Sequence, residues 1–288
     1  MPNETAEWTR YSDIECEIIE DSFRSSEATE VALDLYLLDL IHKVQVNKQD
    51  YRDQRPIKRV VCENELDFRK ERFCLSLPLL PVDKTADDDN VFRSGFGWKW
   101  YWKHYGKKPK PLLGRVAELA ADGIEIEGEK IGKSCEAKWI ANKLRNKKTA
   151  SELTIIKYCL SLYTRDSFIY NLIVQENDQS KLDTLGCFYF LLHNQACAVL
   201  YEKYGYKDTV YLSMSLDSEQ LKCYRELIGR KFCWPRFSSA TKNREKLEHV
   251  DDQNTLFIIT FDQFYSGGLD ISSFSSFPNE QEVLLRPR

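Results

Sequence analysis

Two glutamates near the C-terminus give the strongest chemical signal in this sequence of 288 residues. Glu280 and Glu282 are separated by Gln281, and the apolar run 283–285 follows at once. In an extended chain, residues i and i+2 project from the same face, so both carboxylates are predicted to enter one site. Two carboxylates in a small volume repel each other unless a cation or a donor compensates them, which favours a functional pair. The alternative is a charged strand entry that faces water.

A segment rich in hydroxyl groups, Phe237-Ser238-Ser239-Ala240-Thr241, precedes the two glutamates. We expect a strand end, at which a serine holds a nearby carboxylate in one rotamer. The alternative is a turn in which the Ser and Thr side chains bond their own backbone.

The segment 267–278 contains two glycines and two aromatic residues, Phe274 and Phe277. The glycines predict a mobile loop, and a surface loop would expose both rings. The alternative is a plain connector with buried aromatic side chains.

Hydrophobic spacing predicts the elements that must position these groups. From Leu112 to Glu202, apolar residues recur at intervals of three to five, which predicts a lobe of four or five helices. After Tyr206 the pattern changes to short strands. The predicted strands are Val210 to Leu216, Arg236 to Ser239, Leu256 to Phe261 and Glu282 to Leu285. The fold class is therefore α+β.

The first 77 residues are predicted to form a small unit of their own. Ser12 and Glu15 have the spacing of a capping box at the start of an amphipathic helix. Three runs rich in β-branched and aromatic residues then predict strands over Val31 to Asp39, Lys43 to Val46 and Ile57 to Cys62. We expect three parts: a domain over 1–77, a linker over 78–111, and a second domain over 112–288.

Composition limits the kind of protein and its partners. Hydrophobic residues make up 42% of the chain, enough for two cores, yet no apolar run reaches the ~20 residues that cross a bilayer. The N-terminus has neither a basic region nor an apolar core of a signal peptide, so we expect no secretion. A net charge of −4 argues against broad nucleic-acid binding.

The cysteines and histidines predict reduced thiols and no metal site. Nine cysteines are scattered without a CxxC pair, and the chain has only four histidines. We therefore expect a cytoplasmic or nuclear protein without a metal cofactor.

Three motifs in order, Val210-Tyr211, the hydroxyl-rich segment and Glu280-Gln281-Glu282, resemble the arginine-specific ADP-ribosyltransferases. That family is marked by an arginine on its first core strand, a Ser-Thr-Ser strand and a Glu-x-Glu strand. The resemblance over 112–288 implies an ADP-ribosyltransferase fold, with a helical lobe plus two packed β-sheets. It implies transfer of ADP-ribose from NAD, the co-substrate, to a protein arginine, with release of nicotinamide.

The resemblance also implies roles for single residues. Glu282 matches the catalytic glutamate, Ser239 the serine that orients it, and Glu280 the residue that engages the acceptor guanidinium. The resemblance implies a cofactor site formed by Tyr211, Leu212 and Ser213 together with Ser239 and Glu282.

One departure from the family pattern leads to two alternative hypotheses about function. The family's first-strand arginine, which holds the diphosphate of NAD, is Leu212 here, and the glycine after it is Ser213. Loss of such a charged contact weakens binding by ~1.5–3 kcal/mol unless another cation such as Lys242 or Arg244 replaces it. The intact glutamates favour an enzyme. Leu212 favours a catalytically weak or inactive scaffold that binds ADP-ribose chains or a protein partner.

The N-terminal unit, from Glu7 to Arg59, resembles a WWE domain. Residues that carry this resemblance include Trp8, Tyr11, Tyr36, Asp39-Leu40, Gln45 and the run 55–59. Members that bind poly(ADP-ribose) use a tyrosine, a glutamine and an arginine that match Tyr36, Gln45 and Arg55. The alternatives are that Tyr36 belongs to the core and Arg55 to a solvated turn, or that the unit binds only proteins.

Three tryptophans, Trp98, Trp100 and Trp102, alternate with other residues. In a strand they would project from one face. Such a strand would complete the first unit, begin a second copy of it, or cover the helical lobe. With the nearby lysines Lys107, Lys108 and Lys110 it could also form a nucleic-acid patch.

Overall fold

A computed structural model describes residues 8–25, 28–60, 69–75, 80–83, 95–174, 179–234, 238–247, 253–261 and 267–285. Cys62, Arg236 and Phe237, which belong to predicted strands, lie outside these ranges. The chain forms a small N-terminal unit, a helical lobe and a sheet, so the α+β class is confirmed.

The N-terminal unit packs one helix on a four-stranded sheet. Helix α1 spans Asp13–Arg24, and the predicted capping box of Ser12 and Glu15 is present. The antiparallel strands, in spatial order, are β1 (Glu30–Ala32), β2 (Tyr36–Asp39), β3 (Val44–Asn47) and β4 (Gln54–Pro56).

Two strand predictions for this unit were wrong. The run Val31 to Asp39 is two strands rather than one, because the chain turns at residues 33–35 and then pairs back on itself. The last strand is Gln54–Pro56 rather than Ile57 to Cys62, since residues 57–60 are not in a strand. Apolar composition located strand-rich segments here, but it did not locate the turns.

Three short elements follow the N-terminal unit. Their bounds are α2 (Lys70–Phe73), β5 (Cys74–Leu75) and β6 (Val82–Asp83). Strand β5 pairs in parallel with a strand of the C-terminal sheet, Thr209–Met214. Residues 69–75, which the sequence assigned to the N-terminal domain, therefore contact the C-terminal part. The domain boundaries themselves remain a prediction.

The helical lobe contains more helices than the four or five predicted. They are α3 (Phe96–His104), α4 (Leu113–Lys130), α5 (Ser134–Arg145), α6 (Glu152–Thr164), α7 (Phe168–Val174), α8 (Leu182–Tyr189) and α9 (Ala196–Tyr204). A 3-10 turn spans Gln179–Lys181, and a π-helix spans Phe190–Gln195. Alanines on α4 and α5, among them Ala117, Ala121 and Ala141, are fully buried and allow close helix packing.

The tryptophan segment is helix α3, so the strand prediction was wrong. Trp98 stacks on Tyr101 with ring centroids 5.0 Å apart, a contact of residues i and i+3 that a helix permits. Trp100 is buried against α8, where a Cβ on Gly186 would lie 2.5 Å from the Trp100 Cβ. Of the interpretations left open, cover for the helical lobe is the one the structure supports.

The C-terminal part of the chain contains seven strands among the described residues, and all of them except β9 join β5 in one sheet. They are β7 (Gly205–Tyr206), β8 (Thr209–Met214), β9 (Phe232–Cys233), β10 (Ser238–Thr241), β11 (Thr255–Thr260), β12 (Gly268–Asp270) and β13 (Glu282–Leu285). Helix α10 (Ser218–Glu226) follows β8 and was not predicted. The sheet order is β11-β8-β10-β13-β12-β7, while β9 pairs separately with β6.

The two expected sheets are joined into one hydrogen-bonded path at a narrow seam. Strands β10 and β8 pair at the single position Thr241 and Tyr211. Beyond this pair the two strands diverge, and β5 lies alongside β8 with Cys74 opposite Ser213. Residues 74–75 therefore add a strand where the two halves of the sheet separate.

The N-terminal unit docks on the helical lobe through acidic side chains. Helix α5 has no capping side chain of its own, and Asp34 supplies one by accepting hydrogen bonds from the N–H groups of Cys135 and Glu136, at 2.6 and 3.3 Å. On α1, Asp13 accepts the backbone N–H of Asp166 at 2.7 Å. A carboxylate at a helix N-terminus also complements the helix dipole, so these contacts hold the two parts together.

Glu136 at this interface gives the protein a pH-dependent stability. Burial raises the pKa of Glu136 to about 7, although Lys133 and the N–H of Phe168 oppose the shift. The folded state then holds a proton that the unfolded state loses at lower pH. This contribution is complete below about pH 4.5 and is lost as the pH rises through about 7.

Glu136→Gln is therefore expected to remove this part of the pH dependence. At pH 8 the variant should exceed the native protein in free energy of unfolding by up to about 3 kcal/mol, because no buried carboxylate needs to ionise. At pH 4.5 the two proteins should be nearly equal. Urea denaturation at both pH values measures the difference, and an equal gap at both would contradict the assignment.

Candidate functional site

Glu282 lies at the start of β13 on the sheet face that the helical lobe covers. Thr241 of β10 pairs with both Glu282 and Tyr211, so these three side chains share a face. Ser239 and Ser213, two residues away on their strands, point to the same side. The side chain of Glu282 is fully buried.

A chain of hydroxyl groups fixes one oxygen of Glu282. The Ser239 hydroxyl donates to Oε1 of Glu282, and the Tyr163 hydroxyl lies 2.9 Å from Ser239 Oγ, placed to donate to it. The expectation that a serine of this segment holds a carboxylate is met by this contact. Glu282 Oε2 is buried and accepts no hydrogen bond from the residues that the structure describes. A buried acceptor without a donor is costly, so Oε2 is suited to a ligand hydroxyl.

The backbone at Glu280 does not have the extended conformation that was predicted. Glu280 ends a 3-10 turn, Pro278–Glu280, and Gln281 follows in the left-handed region with φ 49° and ψ 46°. The two glutamates are therefore not alternate residues of one extended strand, and the i, i+2 argument was wrong in its geometry. Thr241 Oγ1 donates to the backbone oxygen of Glu280 at 2.8 Å and anchors the turn.

Arg72 of α2 forms a buried ion pair with Glu282. Its Nε and Nη2 donate to Oε1 at 3.0 and 2.8 Å, and the guanidinium carbon lies 4.6 Å from the ring centre of Tyr163 and 4.5 Å from that of Tyr170. Burial alone would lower the pKa of Arg72, but the Glu282 carboxylate holds that pKa above its usual range. Arg72 thus remains charged although its side chain is almost fully buried.

Arg69 forms a second ion pair with Glu280. Its Nε and Nη2 donate to Oε1 and Oε2 at 2.8 and 2.7 Å, and its backbone N–H donates to Oε1 at 3.1 Å. The ring of Phe277 lies beneath the guanidinium, 3.5 Å from its carbon atom to the ring centre. Because Arg69 and Arg72 are three residues apart, the two carboxylates converge on one helical turn.

Sequence reasoning missed both arginines. They precede their partners by 211 and 210 residues, and no local pattern joins positions so far apart. The only signal was the i, i+3 spacing of Arg69 and Arg72, which places two cations on one helix face.

Leu212 lies on the opposite face of the sheet from Glu282. Its side chain is fully buried in an apolar cluster with Val210, Met214, Ala240 and Val283. An arginine introduced at position 212 would enter this cluster instead of reaching the carboxylates. Leu212 therefore packs in the core, away from the site that it was predicted to line.

Tyr211 and Ser213 flank Leu212 and share the face of Glu282. The Ser213 hydroxyl donates to the Cys74 sulfur at 3.1 Å, so segment 69–75 covers it. Tyr211 packs against a small buried cluster that contains Phe73 and Leu247. Their predicted contact with NAD remains a prediction.

The two cations expected to compensate for Leu212 lie elsewhere. Lys242 Nζ pairs with Asp270 Oδ2 at 2.5 Å. Arg244 is exposed on the 3-10 turn Arg244–Leu247. The cations that contact the two glutamates are instead Arg69 and Arg72.

The aromatic residues of segment 267–278 are packed, in agreement with the connector alternative. Phe277 is buried beneath Arg69, and Phe274 meets Tyr204 edge to face with ring centres 4.8 Å apart. The expectation of two exposed rings was therefore wrong. Phe277 instead provides the floor on which the Arg69 guanidinium rests.

A cavity of about 260 Å³ opens beside the arginine pair. Its wall includes Arg69 and Arg72, together with Tyr170 of the helical lobe and Arg10 and Tyr11 of the N-terminal unit. The site therefore borders all three parts of the molecule.

The three residues predicted to bind ADP-ribose chains share one face of the N-terminal sheet. Gln45 pairs with both Leu38 and Arg55, and Tyr36 lies two residues from Leu38, so their side chains project from the same side. The Tyr11 hydroxyl donates to Gln45 Oε1. Tyr36 is half-buried, and the Arg55 side chain is 71% exposed beside Asp53, with which it forms an ion pair of 3.3 Å.

Within the described residues, no three side chains among His, Cys, Asp and Glu are grouped to hold a metal ion. None of the described helices is long and apolar enough to span a membrane.

Comparison with known proteins identifies the N-terminal unit. Residues 3–59 match the family model of the WWE domain, which confirms the predicted WWE-like unit. No curated protein sequence matches the chain.

Solved structures with a similar arrangement include three bacterial proteins. The type III effector XopAI from Xanthomonas axonopodis pv. citri is 20% identical, with a TM-score of 0.45, over 72% of this chain and 85% of that chain. The ADP-ribosyltransferase HopU1 of Pseudomonas syringae pv. Tomato DC3000 is 16% identical, with a TM-score of 0.41, over 63% and 88%. The ADP-ribosyltransferase toxin Plx2a from Paenibacillus larvae is 19% identical, with a TM-score of 0.33, over 57% and 83%. Because these identities do not exceed 20% and the TM-scores lie below 0.5, we infer the function from the side chains of the site and not from these structures.

Proposed function

We propose that the chain transfers ADP-ribose from NAD to a protein arginine and releases nicotinamide. The proposal rests on the burial and the hydrogen bonding of the Glu282 carboxylate. Ser239 orients one of its oxygens, while the other is buried and accepts no hydrogen bond from the described residues. A fixed buried carboxylate of this kind stabilises a cation that forms beside it.

The chemistry requires both glutamates in different roles. The bond between nicotinamide and the anomeric carbon breaks, and its electron pair leaves with nicotinamide. Glu282 stabilises the oxocarbenium-like cation electrostatically, and its Oε2 is available to accept a ribose hydroxyl. A guanidine nitrogen of the acceptor then attacks the anomeric carbon and loses its proton to Glu280.

The contacts of Glu280 support arginine as the acceptor. Both of its oxygens accept from a guanidinium fork, the geometry in which a carboxylate recognises arginine rather than lysine. A guanidinium has a pKa above ~12, so a base at hydrogen-bond distance is needed before its nitrogen can attack. Glu280 lies at that distance from the guanidinium of Arg69, which supports the same arrangement with an acceptor arginine.

Incubation of the native protein with labelled NAD and agmatine tests the proposed reaction. We expect ADP-ribosylated agmatine and an equal amount of nicotinamide, because agmatine presents a free guanidinium. Putrescine, a diamine that lacks this group, is the matched control and should yield no adduct. Mass spectrometry identifies the product. Nicotinamide without an adduct would reject arginine as the acceptor. No nicotinamide from either the native chain or the Arg69→Ala variant described below would reject the transferase.

We further propose that the WWE domain binds ADP-ribose chains through Tyr36, Gln45 and Arg55. The observation that favours this second function is their common face on β2, β3 and β4, next to Tyr11. An aromatic ring, an amide and a guanidinium fork suit adenine, polar edges and phosphate. The same face could instead bind a protein partner, which is the alternative outcome of the test below.

Arg55→Ala in the full chain is expected to weaken binding of ADP-ribose chains by about tenfold or more, because a charge-assisted phosphate contact is lost. Arg52→Ala is the matched control, since Arg52 is exposed in the preceding turn. Calorimetric titration measures both affinities. A native protein that produces no heat with any ADP-ribose ligand would leave the protein-binding role.

A further inference from the structure

Segment 69–75 enters the site from outside both the helical lobe and the C-terminal sheet. Its first part is the helical turn that carries Arg69 and Arg72, and its last part is β5, which pairs with β8. Phe73, the last residue of α2, and Cys74, the first residue of β5, are buried. The segment is therefore bound to the site by side chains and backbone together, as a docked peptide would be.

The Arg69 guanidinium makes the contacts that the proposed acceptor arginine would need. Both oxygens of Glu280 accept from it, and Glu280 is only 1% exposed. An arginine of another protein would have to compete for the same two oxygens. Because Arg69 belongs to the same chain, it competes at an effective concentration of about millimolar or higher.

Arg72 closes the other half of the site. It occupies the space beside Glu282, and its guanidinium also contacts the rings of Tyr163 and Tyr170. The cavity that remains next to it measures about 260 Å³, below the range of ~300–1,000 Å³ typical of pockets for drug-sized ligands. NAD is larger than such ligands, so the turn that carries Arg72 has to move before NAD can reach Glu282.

We propose that segment 69–75 is an internal acceptor mimic, in which Arg69 occupies the position of the target arginine on Glu280 and Arg72 withholds Glu282 from NAD. This inference rests on the proposed roles of the two glutamates. Since both arginines belong to one helical turn, displacement of that turn frees both carboxylates in a single step.

The test compares agmatine affinity and nicotinamide release in three proteins. They are the native chain, Arg69→Ala, and the control Arg145→Ala, whose guanidinium forks on Glu125 in the helical lobe. We expect Arg69→Ala to bind agmatine at least about tenfold more tightly than the native chain, because the competing guanidinium is absent. Its nicotinamide release in the presence of agmatine should rise by a similar factor. Arg145→Ala should have the same agmatine affinity and nicotinamide release as the native chain. With putrescine in place of agmatine, all three proteins should give the same result.

Each outcome separates this inference from the proposed reaction. If the native chain binds agmatine as tightly as Arg69→Ala, the mimic is rejected, whether or not NAD is consumed. If Arg69→Ala gains agmatine affinity but neither protein releases nicotinamide, the arginine mimic is supported and the transferase is rejected. Should Arg69→Ala fail to fold, Arg69→Lys keeps the charge without the fork and should show an intermediate gain. No gain in a folded Arg69→Lys protein would overturn the proposal.

Discussion

Glu282→Gln is expected to lower nicotinamide release from NAD by about 10²–10³-fold, the usual loss when a preorganised group facing transition-state charge is removed. The amide is neutral, so it cannot offset the positive charge that builds on the ribose. It also replaces one oxygen acceptor with a donor. Release is measured in the native and Arg69→Ala backgrounds, because loss of the Arg69 contact with Glu280 weakens the docking of the turn that holds Arg72 on Glu282.

Two further variants test whether the loss of nicotinamide release is specific to Glu282. Glu280→Gln should suppress transfer to agmatine while some hydrolysis of NAD continues, because water needs no proton acceptor at the guanidinium position. Glu127→Gln is the matched control, since Glu127 is buried in the helical lobe and pairs with Lys130 there. Turnover at the native rate by Glu282→Gln would show that the carboxylate is not at the reacting centre.

Arg72→Ala is expected to lower the free energy of unfolding by about 3–5 kcal/mol, because it leaves the buried Glu282 carboxylate without a counter-charge. Arg72 is 2% exposed and Glu282 is fully buried. Urea denaturation followed by circular dichroism measures the loss. Arg59→Ala is the comparison, since Arg59 forks on Glu20 at an exposed position and its removal should cost little. Equal losses in the two variants would mean that Glu282 is not charged in the folded protein.

The double variant Arg72→Met/Glu282→Leu tells whether the pair itself stabilises the fold. Replacing both members of a buried ion pair with apolar groups of similar volume is often neutral or stabilising. We therefore expect the double variant to recover most of the loss in Arg72→Ala. Recovery would mean that the buried pair is retained for a reason other than stability, which agrees with a role in closing the site.

Local patterns in the sequence predicted the elements whose signals are local. The capping box of Ser12 and Glu15 and the strand over Glu282 to Leu285 both appear where expected. Each depends on residues within a few positions of one another. The hydroxyl-rich segment also became a strand, and its Ser239 bonds Glu282.

Other features depend on contacts that no local pattern records. The alternation of Trp98 and its neighbours suited a strand, yet packing against Phe190 and α8 selected a helix. Leu212 was placed by motif order, whereas the strand register decides which face its side chain enters. The partners of Glu280 and Glu282 come from the segment after the WWE domain, so only the tertiary structure brings them together.

The left-handed residue Gln281 limits how the chain length can vary. It reverses the backbone between the turn that ends at Glu280 and the strand that starts at Glu282. Side chains on β13 alternate between the covered face and the apolar cluster of Val283. Deletion of one residue in this turn, with Glu280 held in place, would bring Val283 into the position of Glu282 beside Ser239 and draw the Glu282 carboxylate back into the turn. Insertions and deletions between Phe277 and Glu282 should therefore be far less tolerated than substitutions on the turn's exposed surface.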